Sequence, residues 1–336
     1  MNTSSESLPL VKPSLLKRGD KIGIAAPSSP SFEEGKLDFA MKRFAELGLV
    51  PVLADHLFDS LGDLAGCDKD RASDLNKFFA DKQIKAIMAI RGGNGSARLL
   101  PMLDWELIKA NPKIIIGYSD ITALLLAIHQ ETGLVTFHGP TASSFFESPY
   151  TYEYFLKALM QKDPIGEIGD PKEKEWAPDY PPNRMILTGG QAVGALTGGC
   201  LTLIKQLMGT RYEIDTRNKI LFIEDVSEEP HSIDRMITQL DLAGKFDHIK
   251  GLIIGECVGC KPGASKRERM TLNMSIERIF KNRFSNFHAP VVYGMRLGHS
   301  SEKMTLPLGV KARLVANQTS KSSKVALSIE EAAVSP

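Results

Sequence analysis

The chain alternates short apolar runs with segments whose apolar residues recur every three or four positions. Residues 21–26 form one such run, and the apolar positions between residues 31 and 47 then follow helical spacing. The same alternation predicts further strands at 49–54, 84–90, 113–116 and 134–137, and further helices at 70–80, 96–103 and 120–130. Strands that alternate with helices in this way predict an α/β fold with a parallel, doubly wound sheet.

Residues 161–183 interrupt this pattern with five prolines among charged residues, which predicts a linker between two domains, 15–160 and 184–330. Beyond the linker the apolar runs are spaced more widely and less regularly. They predict strands at 219–223, 251–254, 290–293 and 311–315 and helices at 201–208 and 232–243. We therefore expect the second domain to be smaller, mixed and β-rich.

Composition narrows the possible partners and the location. Among 336 residues, 41 Lys and Arg against 40 Asp and Glu leave a net charge of +1, so no overall field attracts nucleic acid or an anionic membrane. No run approaches the roughly 18 apolar residues that a membrane-spanning helix needs. The N-terminus does not resemble a secretion signal, and four cysteines are too few for a disulfide scaffold of this length. We expect a cytoplasmic protein with reduced thiols.

The segment 114–123 has the layout of a nucleophile elbow. An apolar strand ends at Gly117, a tight turn carries Ser119, and a helix begins at once. This layout places a serine hydroxyl at the carboxyl end of a sheet, beside a helix N-terminus that favours an oxyanion. Ile121 stands where the usual motif has its second glycine, and the alternative role for Ser119 is a helix N-cap.

A glycine-rich loop, residues 91–96, follows another predicted strand. Its glycines favour positive φ angles and amides that converge on an anion. A dinucleotide loop is disfavoured because the third glycine is missing and the loop follows the third strand rather than the first. A nucleotide-dependent oxidoreductase is therefore a weak alternative, and an oxyanion donor or a plain tight turn remain open.

A serine nucleophile needs a base and an acid that orients it. His138, at the end of a strand, and His299, in a glycine-flanked loop, are the histidines best placed for the base. Glu224 ends an apolar strand, where a carboxylate needs a partner, and a salt bridge to Lys219 or Arg235 is its structural alternative. The pair Cys257 and Cys260 has metal-ligand spacing without a second pair, so we expect no metal.

Several motifs in order resemble the serine LD-carboxypeptidase family, which contains muropeptide LD-carboxypeptidases and microcin-C-immunity hydrolases. The resemblance runs from about residue 15 to residue 316. It rests on the segments GIAAPSSP, RGGNGS, GYSDIT, FHGP, TGGCLTL, FIEDVSEEP and LGHS.

This resemblance implies the catalytic triad Ser119, Glu224 and His299, with the amides of Asp120 and Gly93 as oxyanion donors. It also implies a parallel-sheet N-terminal domain with a smaller β-rich C-terminal domain, a homodimer, and no cofactor. We expect four residues to contact the substrate. Asn94 and Cys200 are positions at which the chain departs from the family pattern, and Arg91 and His138 lie beside the predicted site.

The function that follows is a serine hydrolase that releases a C-terminal D-amino acid, D-alanine, from an L,D-linked murein tetrapeptide. Its substrate is a muropeptide or another small peptide, and Arg91 is the residue we expect to neutralise the terminal carboxylate. The alternative within the family is an amidase that cuts a peptidyl-nucleotide, with Trp176 or Tyr180 as a stacking surface. A non-catalytic binding protein would keep the cleft without needing all three triad residues.

Overall fold

The first half of the chain consists of strands and helices in alternation. The structure is a computed structural model that describes residues 8–31, 34–144, 148–170, 184–262, 275–318 and 323–336. Its first elements are β1 (Lys21–Ala25), α1 (Glu34–Glu46), β2 (Val50–Leu53), α2 (Asp68–Ala80), β3 (Ile84–Ala89), α3 (Trp105–Ala110), β4 (Ile114–Gly117), α4 (Thr122–Thr132), β5 (Phe137–His138) and α5 (Pro149–Leu159). Two short 3-10 helices, Ser96–Met102 and Ser119–Ile121, precede α3 and α4.

Strands β1 to β5 form a parallel sheet in the order β5-β4-β3-β1-β2. From β1 the chain adds β2 on one side and β3, β4 and β5 on the other, so the sheet is doubly wound as predicted. Ligands of such sheets bind beyond the carboxyl ends of the strands, where the strand order reverses. In this sheet the reversal lies between β1 and β3, and the glycine-rich loop follows β3.

The second half of the chain forms a mixed sheet with helices packed on it. Its elements are β6 (Gly166–Ile168), β7 (Met185–Thr188), β8 (Gly190–Cys200), α6 (Leu201–Leu207), β9 (Lys219–Glu224), α7 (Pro230–Leu242), β10 (Gly251–Gly255), α8 (Ile276–Phe284), β11 (Val291–Met295), β12 (Leu306–Pro307), β13 (Lys311–Gln318) and β14 (Ser323–Ile329). The sheet order is β6-β14-β13-β8-β9-β10-β11-β7. The four strands from β8 to β11 are parallel, and antiparallel strands flank them on both sides.

The region expected to be the smaller one carries the larger sheet among the described residues, with eight strands against six. The hydrophobic pattern did not predict β8, because four of the eleven residues of this strand are glycines. One of them, Gly198, has a φ of 145°, and a Cβ there would lie 1.8 Å from the backbone oxygen of Phe222. Glycine is therefore what lets β8 approach β9. Strand β6 also falls inside the predicted linker, of which residues 171–183 lie outside the described residues.

Strand β12 connects the two halves of the molecule. It belongs to the second half by sequence but pairs antiparallel with β5, where Leu306 lies opposite His138. Helix α4 lies at the same junction: it contacts α6 and β8, and its Thr122 hydroxyl accepts a hydrogen bond from the amide of Cys200 at 3.1 Å. Most of α4 is buried, as expected for a helix covered on several sides. The loops of both halves therefore meet around the end of β4.

The helices of the described residues are too short or too polar to span a lipid bilayer.

The close approach of β8 to β9 leads to a stability prediction. Gly198→Ala should lower the free energy of unfolding by several kcal/mol, because a side chain at this positive φ meets the Phe222 carbonyl. Gly35→Ala is the matched control, since nothing lies within 4 Å of its added methyl group and α1 gains helix propensity. Urea unfolding of both variants provides the measurement. Equal stability of the two variants would contradict the packing described for β8.

Candidate active site

Ser119 lies in the tight turn between β4 and α4. Its backbone has a φ of 63°, a left-handed conformation that residues with a side chain rarely adopt. Gly117 makes this turn possible, because a Cβ there would lie only 2.8 Å from a methyl carbon of Ile121. Ile121, not Ser119, holds the N-cap position of α4, and it makes no side-chain cap hydrogen bond. The geometry is thus that of a strained elbow rather than a helix cap.

The glycine-rich loop after β3 lies against this elbow. A Cβ on Gly92 would lie 2.7 Å from Cβ of Ser119, so only a glycine permits such a close approach. Gly93 has a φ of 126° and packs in the same manner on Ser29, whose hydroxyl oxygen accepts the amide of Asn94 at 3.1 Å. The loop backbone consequently lies beside the serine side chain, where amides are able to stabilise an oxyanion.

His299 reaches the same place from the loop after β11. Its Nδ1 atom lies 2.7 Å from Oε2 of Glu224, and its backbone amide donates to the same oxygen at 3.2 Å. The ring of Tyr118 packs edge to face against the imidazole, with 5.0 Å between the ring centroids. With Nδ1 engaged by the carboxylate, Nε2 is the ring nitrogen left to exchange a proton.

Glu224 ends β9 and is only 1% exposed. Its burial opposes ionisation, but the charge and the hydrogen bonds of His299 outweigh that effect and hold the pKa of Glu224 below its ordinary value. Two glycines make room for the carboxylate, since a Cβ on Gly298 would lie 2.1 Å from Cδ of Glu224 and one on Gly255 would lie 2.8 Å from its Cβ. The ion pair with Lys219, the alternative partner, is made by Asp215 instead.

A cleft of about 250 Å³ contains the groups brought together in this way. Of the predicted residues, Ser119, His299, Gly93 and Arg91 line it. The other lining residues are mostly polar and small: Ser31, Lys36, Gly92, Tyr118, Thr141, Ser143 and Ser144. The sequence analysis did not predict that the hydroxyls of residues 141–144 line the cleft, because the turn that follows the FHGP segment holds no recognisable catalytic pattern.

The residues 141–144 form a turn fastened to the end of β3. The amides of Ala142 and Ser143 donate to the carbonyls of Ala89 and Ile90, both at 3.0 Å. The hydroxyl of Thr141 lies 3.1 Å from that of Ser144. Hydroxyl groups are thus held on one wall of the cleft close to Arg91, whose Nη1 donates to the carbonyl of Pro30 at 3.3 Å.

Three residues predicted to contact substrate do not line this cleft. Asn94 is exposed, whereas Cys200, the last residue of β8, is 3% exposed, and burial raises the pKa of its thiol. His138 is fully buried behind the cleft, with its ring 5.1 Å from that of Phe222. Cys200 and His138 are enclosed by protein, so their positions do not support direct contact with substrate. Contact by Asn94, which follows the cleft-lining Gly93, stays a prediction.

Other polar clusters lie outside the cleft. Among the residues that the structure describes, the one group of three converging candidate metal ligands is His56, Asp59 and Asp70, and none of them lines the cleft. Cys257 and Cys260 are free thiols that are not part of this group. A wider groove of about 690 Å³ beside α2 and α3 contains none of the predicted site residues.

Comparison with known proteins decides the family. The N-terminal domain model of the LD-carboxypeptidases matches residues 22–139, and the C-terminal domain model of the same family matches residues 193–314. The chain belongs to the LD-carboxypeptidase family. The predicted resemblance is thereby confirmed.

Two curated relatives of this LD-carboxypeptidase family member cover nearly its whole length. A probable murein peptide carboxypeptidase of Bacillus subtilis is 37% identical, over 96% of this chain and 97% of the relative. The microcin C7 self-immunity protein MccF of Escherichia coli is 32% identical, over 87% of this chain and 90% of that protein.

A solved structure confirms the predicted α/β fold with two sheets. MccF in complex with aspartyl sulfamoyl adenosine superposes on this LD-carboxypeptidase family member with a TM-score of 0.83 at 30% identity, covering 97% of this chain and all of that one. The family thus includes proteins named for peptide substrates and proteins solved with nucleotide-like ligands.

The buried imidazole of His138 leads to a prediction about acid stability. Burial lowers the pKa of His138 from 6.5 to about 4, so the unfolded chain takes up a proton below pH 6.5 that the folded protein does not. The folded protein should therefore lose stability on acidification. His138→Gln should remove about 2 kcal/mol of the loss between pH values near 7 and near 5.

Urea unfolding at the two pH values measures this difference. Phe222→Leu is the control, because it loosens packing against the same ring but leaves the imidazole in place. It should retain the pH dependence of the original chain. Parallel pH dependences for the original chain and His138→Gln would show that His138 is not kept neutral by burial.

Proposed function

We propose that the chain is a serine LD-carboxypeptidase that releases D-alanine from the L,D-linked tetrapeptide of murein. The proposal rests on one observation. Ser119, with its positive φ, lines the same cleft as His299, whose imidazole is hydrogen-bonded to the buried carboxylate of Glu224. The similarity to a probable murein peptide carboxypeptidase over nearly the whole chain supports the choice of substrate.

In the proposed mechanism, Nε2 of His299 removes the proton from Ser119 Oγ as that oxygen attacks the carbonyl carbon of the scissile amide. The amides of Asp120 and Gly93 stabilise the oxyanion that forms. When this intermediate collapses, the C–N bond breaks and His299 returns the proton to the nitrogen of the departing D-alanine. A water molecule, deprotonated by His299, then hydrolyses the acyl-serine and regenerates the hydroxyl.

Glu224 has two roles in this proposal. Its hydrogen bond to Nδ1 fixes the tautomer and the orientation of the His299 ring. Its negative charge, maintained by a pKa below the ordinary value, stabilises the imidazolium that forms in each proton transfer. Neighbouring Asp225 does not share this work, because its carboxylate accepts hydrogen bonds from Thr202 and from the amide of Val226.

The leaving residue carries a carboxylate that needs a positively charged partner when it enters the cleft. Arg91 lines the cleft beside the hydroxyls of Thr141, Ser143 and Ser144, and these groups together form a binding set for a carboxylate. Lys36 also lines the cleft. The proposal assigns Arg91 to the terminal carboxylate of the substrate.

An amidase acting on a peptidyl-nucleotide is the second candidate, favoured by the similarity to MccF, whose solved complex contains aspartyl sulfamoyl adenosine. Trp176 and Tyr180, the residues predicted to stack on a base, lie outside the described residues. The proposal also includes a homodimer, which rests on the family resemblance, and a cytoplasmic location, which rests on the sequence composition.

Ser119→Ala, Glu224→Ala and His299→Ala should each lower turnover about a thousandfold or more, because the three residues act as a unit. The double variant Ser119→Ala/His299→Ala should be no slower than either single variant. His138→Ala should lose less activity than His299→Ala. Mass spectrometry of D-alanine released from a murein tetrapeptide, with the tripeptide as blank, measures these effects. Normal turnover by His299→Ala beside an inactive, folded His138→Ala would reassign the base.

Amidation of the substrate's C-terminus tests the role of Arg91. The amide should lose about 2 kcal/mol in kcat/KM, close to thirtyfold, because it leaves a cation without its partner. Arg91→Met should erase most of this difference by weakening cleavage of the acid alone. Arg98→Gln is the matched control, since Arg98 binds Asp68 on the surface and should preserve the difference. Equal cleavage of acid and amide by the original chain would favour the amidase.

A further inference from the structure

Two buried residues of opposite charge hold a single peptide group in the glycine-rich loop. Arg71 Nη1 donates to the carbonyl oxygen of Gly95 at 3.2 Å, and the amide of Ser96 donates to Oδ2 of Asp120 at 2.7 Å. The carbonyl of Gly95 and the amide of Ser96 are the two ends of one peptide bond. Arg71 is 2% exposed and Asp120 is 3% exposed, so bulk solvent has little access to either side chain. The other guanidinium nitrogen of Arg71, Nη2, forms an ion pair with Asp68, which holds Arg71 in place.

The same two side chains also bind the loop that follows β1. Arg71 Nη1 donates to the carbonyl of Pro27 at 2.5 Å, and the hydroxyl of Ser28 donates to Oδ2 of Asp120 at 2.5 Å. The hydroxyl of Ser96 returns a hydrogen bond to the backbone oxygen of Asp120 at 2.6 Å. The loops after β1 and β3 and the elbow are therefore joined by one network of buried hydrogen bonds.

The glycine-rich loop needs such a restraint. Gly93 and Gly95 have φ angles of 126° and 100°, and glycines tolerate many other conformations at little cost. A rotation of the peptide between Gly95 and Ser96 would turn its carbonyl towards the Asp120 carboxylate and its amide towards the Arg71 guanidinium. Both new contacts would be repulsive, so the two charges together favour a single orientation of this peptide.

We propose that Arg71 and Asp120 are positioning residues that fix the oxyanion-binding amides over Ser119. Asp120 restrains both donors, because its own amide is one of them and its side chain holds the loop that carries the other, Gly93. This inference rests on the proposed function, in which those two amides stabilise the oxyanion. A preorganised site lowers the barrier only if its dipoles are already aligned before charge develops.

Asp120→Ala should lower kcat about a hundredfold while KM stays within about threefold, because the restraint serves the transition state rather than substrate binding. Affinity for a boronic acid analogue of the acyl peptide, which forms a tetrahedral adduct with serine, should fall by a factor similar to that of kcat. Asp120→Asn should lose only about tenfold, since it keeps an acceptor oxygen. The pH profile should keep its shape, because His299 and Glu224 are untouched.

Arg71→Met should behave like Asp120→Ala, and the double variant should lose less than the product of the two single losses, because both act on one peptide. Asp74→Asn is the matched control: this buried carboxylate on the same helix as Arg71 binds His56 and should leave kcat unchanged. All rates are referred to active sites titrated with a serine-reactive fluorophosphonate. If Asp120→Ala fails to fold, kcat and analogue affinity are compared between the original chain and Asp120→Asn, whose side chain has nearly the same volume as aspartate.

Folded Asp120 and Arg71 variants whose kcat and analogue affinity stay within about twofold of the original chain would overturn the positioning role. Ser119→Ala in the same assay separates this result from failure of the proposed function. Activity retained by Ser119→Ala refutes the serine mechanism itself. An inactive Ser119→Ala beside a fully active Asp120→Ala refutes only the positioning role.

Discussion

The carboxylate of Glu224 is almost completely buried at the end of β9, and it depends on His299 for its compensation. An unpaired charge at such a depth is costly, so the loop after β11 has to bring both the amide and the imidazole of His299 to the same oxygen. Gly298 and Gly255 leave the space for this contact. The pairing that compensates Glu224 in the second sheet therefore also orients His299, which lines the cleft together with residues of the first half.

The first sheet presents the matching serine. The strained turn at Ser119 opens at the carboxyl end of β4, next to the point where the strand order reverses. Strand β12 pairs with β5 only a few residues after His299, which limits how far the histidine loop is able to move from the elbow. Each half of the chain thus supplies part of a cleft that neither half forms alone.

Part of this arrangement was predictable from local sequence signals, whereas the choice of His299 over His138 came from the family resemblance. The elbow needs only an apolar strand, a glycine and a serine before a helix, and Glu224 is conspicuous as an acid at the end of an apolar run. Strand β8 was not predictable, since its glycines serve close packing against β9 and resemble a loop in sequence. The hydrogen bonds of the Asp120 side chain and the position of the hydroxyls of residues 141–144 depend on contacts between distant segments, which a single sequence does not display.

In the proposed mechanism, a peptide acylates Ser119 during each turnover. Acid quenching of the protein with murein tetrapeptide, followed by intact-mass and fragment-mass analysis, would trap this acyl-enzyme. The expected result is an added mass equal to the tetrapeptide less D-alanine, located on the fragment that contains Ser119 and absent from Ser119→Ala. An acyl adduct on any other residue, or D-alanine release by folded Ser119→Ala at the rate of the original chain, would contradict it.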